Sequence, residues 1–292
     1  MKLQLVATCL FGLEKLLGEE IEALGYDRTE TMDGRVTFVG DEEAVALSNV
    51  FLRYAERVYI LLGSFPAESF DALFEGTRAL PWEYLIGKHD AFPVKGHAIA
   101  STLFSVPDCQ KIVKKAIVTR LSSVYSLNWF EESGVKYQVE FFIFKNRASL
   151  MIDTSGAPLH KRGYRREAVA APIRETLAAA MAALSRPRED VLFWDPLCGS
   201  GTIAIEAAML HRRIAPGKTR AFAAEAFPAI PASLFRLARE EAADGELHDG
   251  FEVFASDIDE GAVLLAAENA RRAGVGDTVR TFRQDARRIA AP

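Results

Sequence analysis

The stretch that most restricts how this chain can fold lies between residues 191 and 211. There a short apolar run, Val191–Trp194, gives way to Asp195-Pro196-Leu197-Cys198-Gly199-Ser200-Gly201-Thr202, and then to an apolar segment with helical spacing that ends near His211. A buried strand that turns through glycines straight into a helix is the building unit of a parallel α/β sheet. Gly199 and Gly201 permit positive φ and let the backbone approach a ligand closely. The free N–H groups at the start of the following helix favour a polar or anionic group. Gly199-x-Gly201-x-x-Ala204 alone is a weak nucleotide signature. The Lys-Ser/Thr pair of a phosphate-binding loop is missing, which argues against nucleotide hydrolysis.

The company of this turn sharpens it. A second strand, Phe251–Ser256, runs into Asp257, whose carboxylate can accept hydrogen bonds from both hydroxyls of a ribose. A third strand, Val279–Arg283, is followed by Gln284-Asp285, placed to receive an adenine amino group. Asp259 reads as a helix cap rather than a ligand. Three acids at successive strand ends, where open α/β sheets bind ligands, point to a nucleoside-containing cofactor. A nicotinamide-dependent oxidoreductase is disfavoured, because the separation of Gly199 from Asp257 far exceeds the usual ~20 residues.

The N-terminal half reads differently. A strand at 3–9, a helix carrying Leu13, Leu16, Leu17, Ile21 and Leu24, a strand at 34–39, a helix opened by Asp41, a strand at 57–63 and a helix after Ser69 form an α+β unit over residues 1–90. In residues 91–154, Ser105-Val106-Pro107-Asp108 starts a helix reaching Ser123. A strand pair, Lys136–Phe144 and Arg147–Asp153, turns at Lys145-Asn146. From 155 to 292 helices alternate with isolated apolar strands, Pro172 opening the first helix and a helix-rich insertion covering 215–249.

The net charge is −5, yet between Lys95 and Arg166 about twelve basic residues face five acids. Such segregation suits a phosphate-binding surface, with Lys95, Lys111, Lys114, Lys115, Arg162 and Arg165 as the candidate contacts; solvated faces or interdomain ion pairs are the competing account of the same residues. Three scattered cysteines without a CxxC pair, and five histidines without ligand spacing, give no metal site and no disulfide framework. No run of 18 apolar residues and no secretory leader pattern occur, so a cytoplasmic protein without membrane contact is expected.

The motif Asp195-Pro196-Leu197-Cys198-Gly199-Ser200-Gly201-Thr202 resembles motif I of class I S-adenosylmethionine-dependent RNA methyltransferases. Leu159-His160-Lys161-Arg162-Gly163-Tyr164-Arg165 and Ala171-Pro172-Ile173-Arg174-Glu175-Thr176-Leu177-Ala178 look like the segment joining a THUMP domain to the transferase in bacterial 23S rRNA guanine-N2 methyltransferases. Lys95-Gly96, Ser101, Ser105–Gln110 and Lys114–Val118 are similar to the THUMP part of that family. The resemblance implies an α/β fold: an N-terminal ferredoxin-like region at 1–90, a THUMP domain at 91–154, and a partial Rossmann-like methyltransferase sheet at 155–292. It implies that S-adenosyl-L-methionine is the cofactor. Asp195, Gly199, Gly201 and Thr202 would surround its methionine part, Asp257 would hold its ribose and Asp285 its adenine, and Pro196, Cys198 and Ser200 would also bind the cofactor. It also implies that structured RNA is the partner, with the methyl group going to N2 of a guanosine in 23S rRNA. Arg162 and Arg165 would touch phosphate or brace the cofactor pocket, and Cys198 would not act as a nucleophile. The family's Asn-Pro-Pro-Tyr or Asn-Pro-Pro-Phe motif does not occur. The expectation is therefore a longer parent protein, with this chain alone inactive. The alternative is an RNA-binding THUMP module carrying an inert transferase half.

Overall fold

Strand alternation organises the first half. The computed structural model describes residues 2–165, 172–186, 191–248 and 251–288; Arg166 of the basic segment and Ala171 of the linker pattern lie outside the described residues. β1 (Leu3–Thr8) turns Leu3, Leu5 and Ala7 toward the helices and Val6 to the other face. α1 (Glu14–Ala23) lays Leu17 and Ile21 on the first face, and the chain then reverses at Gly25, φ +86°, where a side chain would be strained. β2 (Arg28–Met32) and β3 (Arg35–Gly40) follow. α2 (Glu42–Phe51) is capped by Asp41, which accepts a hydrogen bond from Ala44 N at 3.0 Å. Ser69 caps α3 (Phe70–Arg78) in the same way at 3.1 Å.

β4 (Arg57–Pro66) joins the two N-terminal units into one sheet. It pairs antiparallel with β1 on one side and with β7 (Arg147–Asp153) on the other. β5 (Val94–Ile99) and β6 (Val139–Phe144) are parallel, as the crossover through α4 (Val106–Tyr125) requires. The resulting seven-stranded order is β2-β3-β1-β4-β7-β6-β5. Neither β2 nor β5 stands out in the sequence. β2 is an edge strand of polar residues, Arg-Thr-Glu-Thr-Met. β5 depends on Gly96, where a Cβ would come within 2.2 Å of Phe141 O on the neighbouring strand. β6 begins at Val139 rather than Lys136, which makes only an isolated bridge to Ala91.

The second sheet contains β8 (Phe193–Asp195), β9 (Val253–Asp257) and β10 (Val279–Arg283), all parallel, in the order β10-β9-β8. Its helices are α5 (Glu175–Leu184), α6 (Thr202–His211) and α8 (Glu260–Arg272). α5 starts three residues later than Pro172 suggests, because Arg174 is extended at ψ 144°. The insertion carries α7 (Ala232–Asp244), and it does not belong to the core of this sheet. Phe222, Phe227, Ile230, Phe235, Ala238 and Ala242 join the core of the N-terminal half. α7 packs on α2, and Tyr137 stacks on Phe227 at 4.3 Å. Gly217 N donates to Val50 O at 2.9 Å, so close that a Cβ at 217 would lie 2.6 Å from Asn49 O. Among the described residues, no helix is long and apolar enough to cross a membrane.

The fully buried Phe141 ring lies at the centre of the larger core. Phe141→Ala should lower unfolding stability by about 3–5 kcal/mol, read by urea denaturation. A loss below about 1 kcal/mol would mean that β6 is not packed as described.

Candidate cofactor rim and the buried linker

The turn after β8 is built by backbone hydrogen bonds. Cys198 N donates to Ser256 O on β9 at 2.9 Å, and Gly201 N closes the turn on Cys198 O at 2.7 Å. Gly199 and Gly201 have φ of 49° and 80°. The second is also held by packing: a Cβ at Gly201 would sit 2.9 Å from Ala266 Cβ on α8. Gly201 is the cap residue of α6 and supplies no side chain, so the N–H groups of the first turn remain available at the rim. The buried Asn269 steadies the loop from α8 by donating to Ser200 O at 3.1 Å.

Two of the three anticipated acids converge on this turn. Asp257, at the end of β9, accepts from Gly199 N at 3.0 Å through one oxygen and from Asp259 N at 3.0 Å through the other. Each oxygen keeps a lone pair for a further donor. Asp195, at the end of β8, accepts from Leu197 N at 3.1 Å. Burial, reinforced by the charge of Asp257, raises its pKa above the ordinary aspartate value. Asp285 follows β10 on the same rim, two residues past the Arg283 that pairs with Asp257 in register. Both its oxygens accept from the Arg287 side chain, at 2.7–3.2 Å, and these bonds lower its pKa to about 2. Asp259 caps α8 through Gly261 N at 2.8 Å. Cys198 is buried and its thiol is pushed up to about 12, mainly by burial, so it is no thiolate nucleophile. Ser200 and Thr202 share a 3.3 Å hydroxyl contact.

Behind the rim lies a network around Glu206, which sequence reading missed. Glu206 is fully buried, one turn into α6. It accepts from Tyr164 OH at 3.0 Å and sits 3.6 Å from both Arg53 Nη1 and Arg162 Nε. Its signal was in plain view: it is the one charged residue in the apolar run Thr202–Leu210. Arg162 and Arg165, expected to touch phosphate or to brace the cofactor pocket, are both engaged within the protein. Arg162 is 3% exposed and donates to the carbonyls of Leu159 and Arg53, so its guanidinium is spent on the protein's own groups. Arg165 pairs with Glu175 at 3.0 Å and donates to Thr202 Oγ1 at 3.1 Å, bracing the glycine turn from behind. Glu56, just ahead of β4, completes the linker by accepting from Thr176 Oγ1 at 2.6 Å and contacting His160 Nδ1 at 2.8 Å.

The other basic candidates lie on the N-terminal half. Lys111, Lys114 and Lys115 line a groove of about 620 Å³ between α4 and the segment leading into β5. Lys111 and Lys115 are exposed, the former 3.5 Å from Asp108. Lys114 is committed to Glu132 at 2.5 Å and to the Phe92 ring at 3.6 Å. Lys95 pairs with Glu140 at 3.1 Å.

A parallel sheet with a glycine turn and acids on one rim, behind a separate α/β half, has the architecture of a class I methyltransferase. Comparison with known proteins agrees along the chain. Residues 4–59 match the RlmL ferredoxin-like domain, residues 67–153 the THUMP domain, and residues 162–292 the RMKL-like methyltransferase domain. YpsC of Bacillus subtilis, provisionally named an RNA methyltransferase, is 45% identical over 286 residues, which is 97% of this chain and 74% of YpsC. A structure from Listeria monocytogenes, named as a predicted N6-adenine-specific DNA methylase, superposes with a TM-score of 0.95 at 45% identity, covering 100% of this chain and 77% of that one. SMU.472, provisionally named a methyltransferase and solved in complex with SAH, superposes with a TM-score of 0.93 at 39% identity, covering 99% and 77%. The chain belongs to the THUMP-containing class I RNA methyltransferases, and its cofactor is S-adenosyl-L-methionine.

Removing Glu206 leaves two buried guanidinium groups without their shared carboxylate. Glu206→Ala should cost about 3–5 kcal/mol, measured by denaturant unfolding, whereas a surface pair such as Arg236–Glu240 should cost less than about 1 kcal/mol. Equal effects for the two would remove the network from its structural role.

Proposed function

We propose that the rim formed by Asp195, Pro196, Cys198, Gly199, Ser200, Gly201, Thr202, Asp257 and Asp285 holds S-adenosylmethionine, and that the methyl group goes to N2 of a guanosine in 23S rRNA. The observation that carries the cofactor reading is the hydrogen bond from Gly199 N to Asp257, which ties the carboxylate suited to a ribose to the turn suited to the methionine part. The residues fit the group. Asp257 retains acceptor capacity for two vicinal hydroxyls, Asp195 supplies a half-buried negative charge for the methionine ammonium, and Asp285 remains ionised toward an adenine amino group. When bound, the cofactor supplies a sulfonium methyl. The chain's own task is to fix its orientation: the Arg165 brace on Thr202 and the Asn269 bond to Ser200 O hold the turn so that alignment, rather than acid–base chemistry, lowers the barrier.

The THUMP match and the kinship to YpsC support RNA over the DNA substrate that the Listeria protein's name carries. The guanine-N2 target rests on the family likeness of the motif and linker. Deleting the gene should remove one N2-methylguanosine from 23S rRNA, read by nuclease digestion and mass spectrometry; an unchanged nucleoside profile overturns that target. For RNA contact we assign Lys111 and Lys115, whose ammonium groups project beside the α4 groove, with Lys95 and Lys114 held back by their carboxylates.

Asp257→Ala should abolish calorimetric binding of S-adenosylmethionine. In the parent, affinity should fall as pH drops from 7 toward the raised pKa of Asp195, because protonation removes the charge facing the ammonium; Asp195→Asn should be weak and flat across that range. A pH-independent parent would exclude Asp195. Lys111→Ala and Lys115→Ala should each reduce the log–log salt slope of RNA binding by about 0.7–0.9, read by fluorescence anisotropy. An unchanged slope would return α4 to a solvated surface.

A further inference from the structure

A second cavity, of about 570 Å³, lies away from the rim, between the linker at 157–164, the start of the insertion at 214–221, and the C-terminal ends of α6 and α8. Its volume falls in the range of ligand sites. Five cations line it, Lys161, Arg162, Lys218, Arg220 and Arg272, against one carboxylate, Glu246. That carboxylate is spent on Lys218 at 2.5 Å, and Arg162 is spent on the Glu206 network. The remaining charge is poorly compensated among the described residues. Arg220 donates only to neutral carbonyls, Leu159 O at 2.9 Å and Ala157 O at 2.8 Å. Burial and the charges of Arg162 and Arg57 push its pKa down to about 10, the direction expected of cations crowded without a counter-ion. Arg272 uses Nη2 on Glu268 at 2.6 Å and leaves a buried Nη1 without a partner. Lys161 is exposed at the mouth.

We infer that this basic cavity is a phosphate-binding site, filled either by a phosphodiester of the bound RNA or by the phosphate of a free mononucleotide. Arg220 from the insertion, Arg272 from the end of α8 and Lys161 from the linker bring cations from three chain segments to the cavity lining, and guanidinium groups match phosphate oxygens in geometry as well as charge. The site is separate from the cofactor rim, which sits at the opposite, C-terminal end of the strands. Only the phosphodiester form rests on the RNA reading above.

The two sources are separated by titrating the 292-residue chain with AMP, by calorimetry, and with a labelled RNA hairpin, by anisotropy over a range of salt. Lys161→Ala and Arg272→Gln are the probes, and an unshifted thermal midpoint confirms that they fold. If RNA fills the cavity, each variant lowers the log–log salt slope by about 0.7–0.9. If a mononucleotide fills it, each variant weakens AMP binding about tenfold and leaves the RNA slope alone. Either result supports the site. Absence of AMP binding, with an RNA slope that falls for Lys111→Ala but not for Lys161→Ala or Arg272→Gln, overturns the cavity assignment while leaving the RNA reading intact. Absence of RNA binding by the unaltered chain, with AMP binding that weakens in Lys161→Ala and Arg272→Gln, does the reverse.

Discussion

The buried carboxylate of Glu206 is the constraint on which the rest of the molecule depends. It sits on the helix that begins in the cofactor turn, and it faces Arg53 from the N-terminal region and Arg162 from the linker. A charge at that depth is tolerated only with opposite charges and a hydrogen bond around it. Glu206 and its partners together come from three separate parts of the chain, so the network forms only when the RNA-binding half, the linker and the transferase sheet are assembled together. Arg53 extends it by donating to Ile214 O at 2.7 Å, which ties in the start of the insertion as well.

Much of the architecture was legible because it is written in local terms. α2 and α3 announce themselves through Asp41 and Ser69, α6 through the glycines ahead of Thr202, and β9 and β10 through short apolar runs. What escaped depends on neighbours distant in sequence. β2 is polar but for Met32, and its pairing with β3 is what makes it a strand. β5 exists because Gly96 lets β6 approach. The helices of the insertion read as part of the transferase, yet Phe222, Phe227 and Phe235 are buried in the other core. No periodicity within 215–249 says which of two cores its apolar face will meet.

The candidate residues divide on the same principle. The glycine turn with Asp195 and Asp257 is a local motif meeting a strand end, and both acids lie against the turn. Counting charges was a poorer guide. Of the six basic residues offered for RNA, Arg162 and Arg165 lie in the linker network, and Lys95 and Lys114 are held by Glu140 and Glu132. Net local charge says how many cations a segment carries. It is silent on how many already have carboxylates, and that is decided by the fold.

The insertion between β8 and β9 fastens the two halves through α7 on α2 and through Gly217 against Val50. A clasp of this kind turns the molecule into a caliper with fixed jaws. If α4 holds RNA as proposed, the rim meets only the nucleotide that lies one set span away, and selection would then act on the folded shape of the RNA, with base order counting only where it creates that shape.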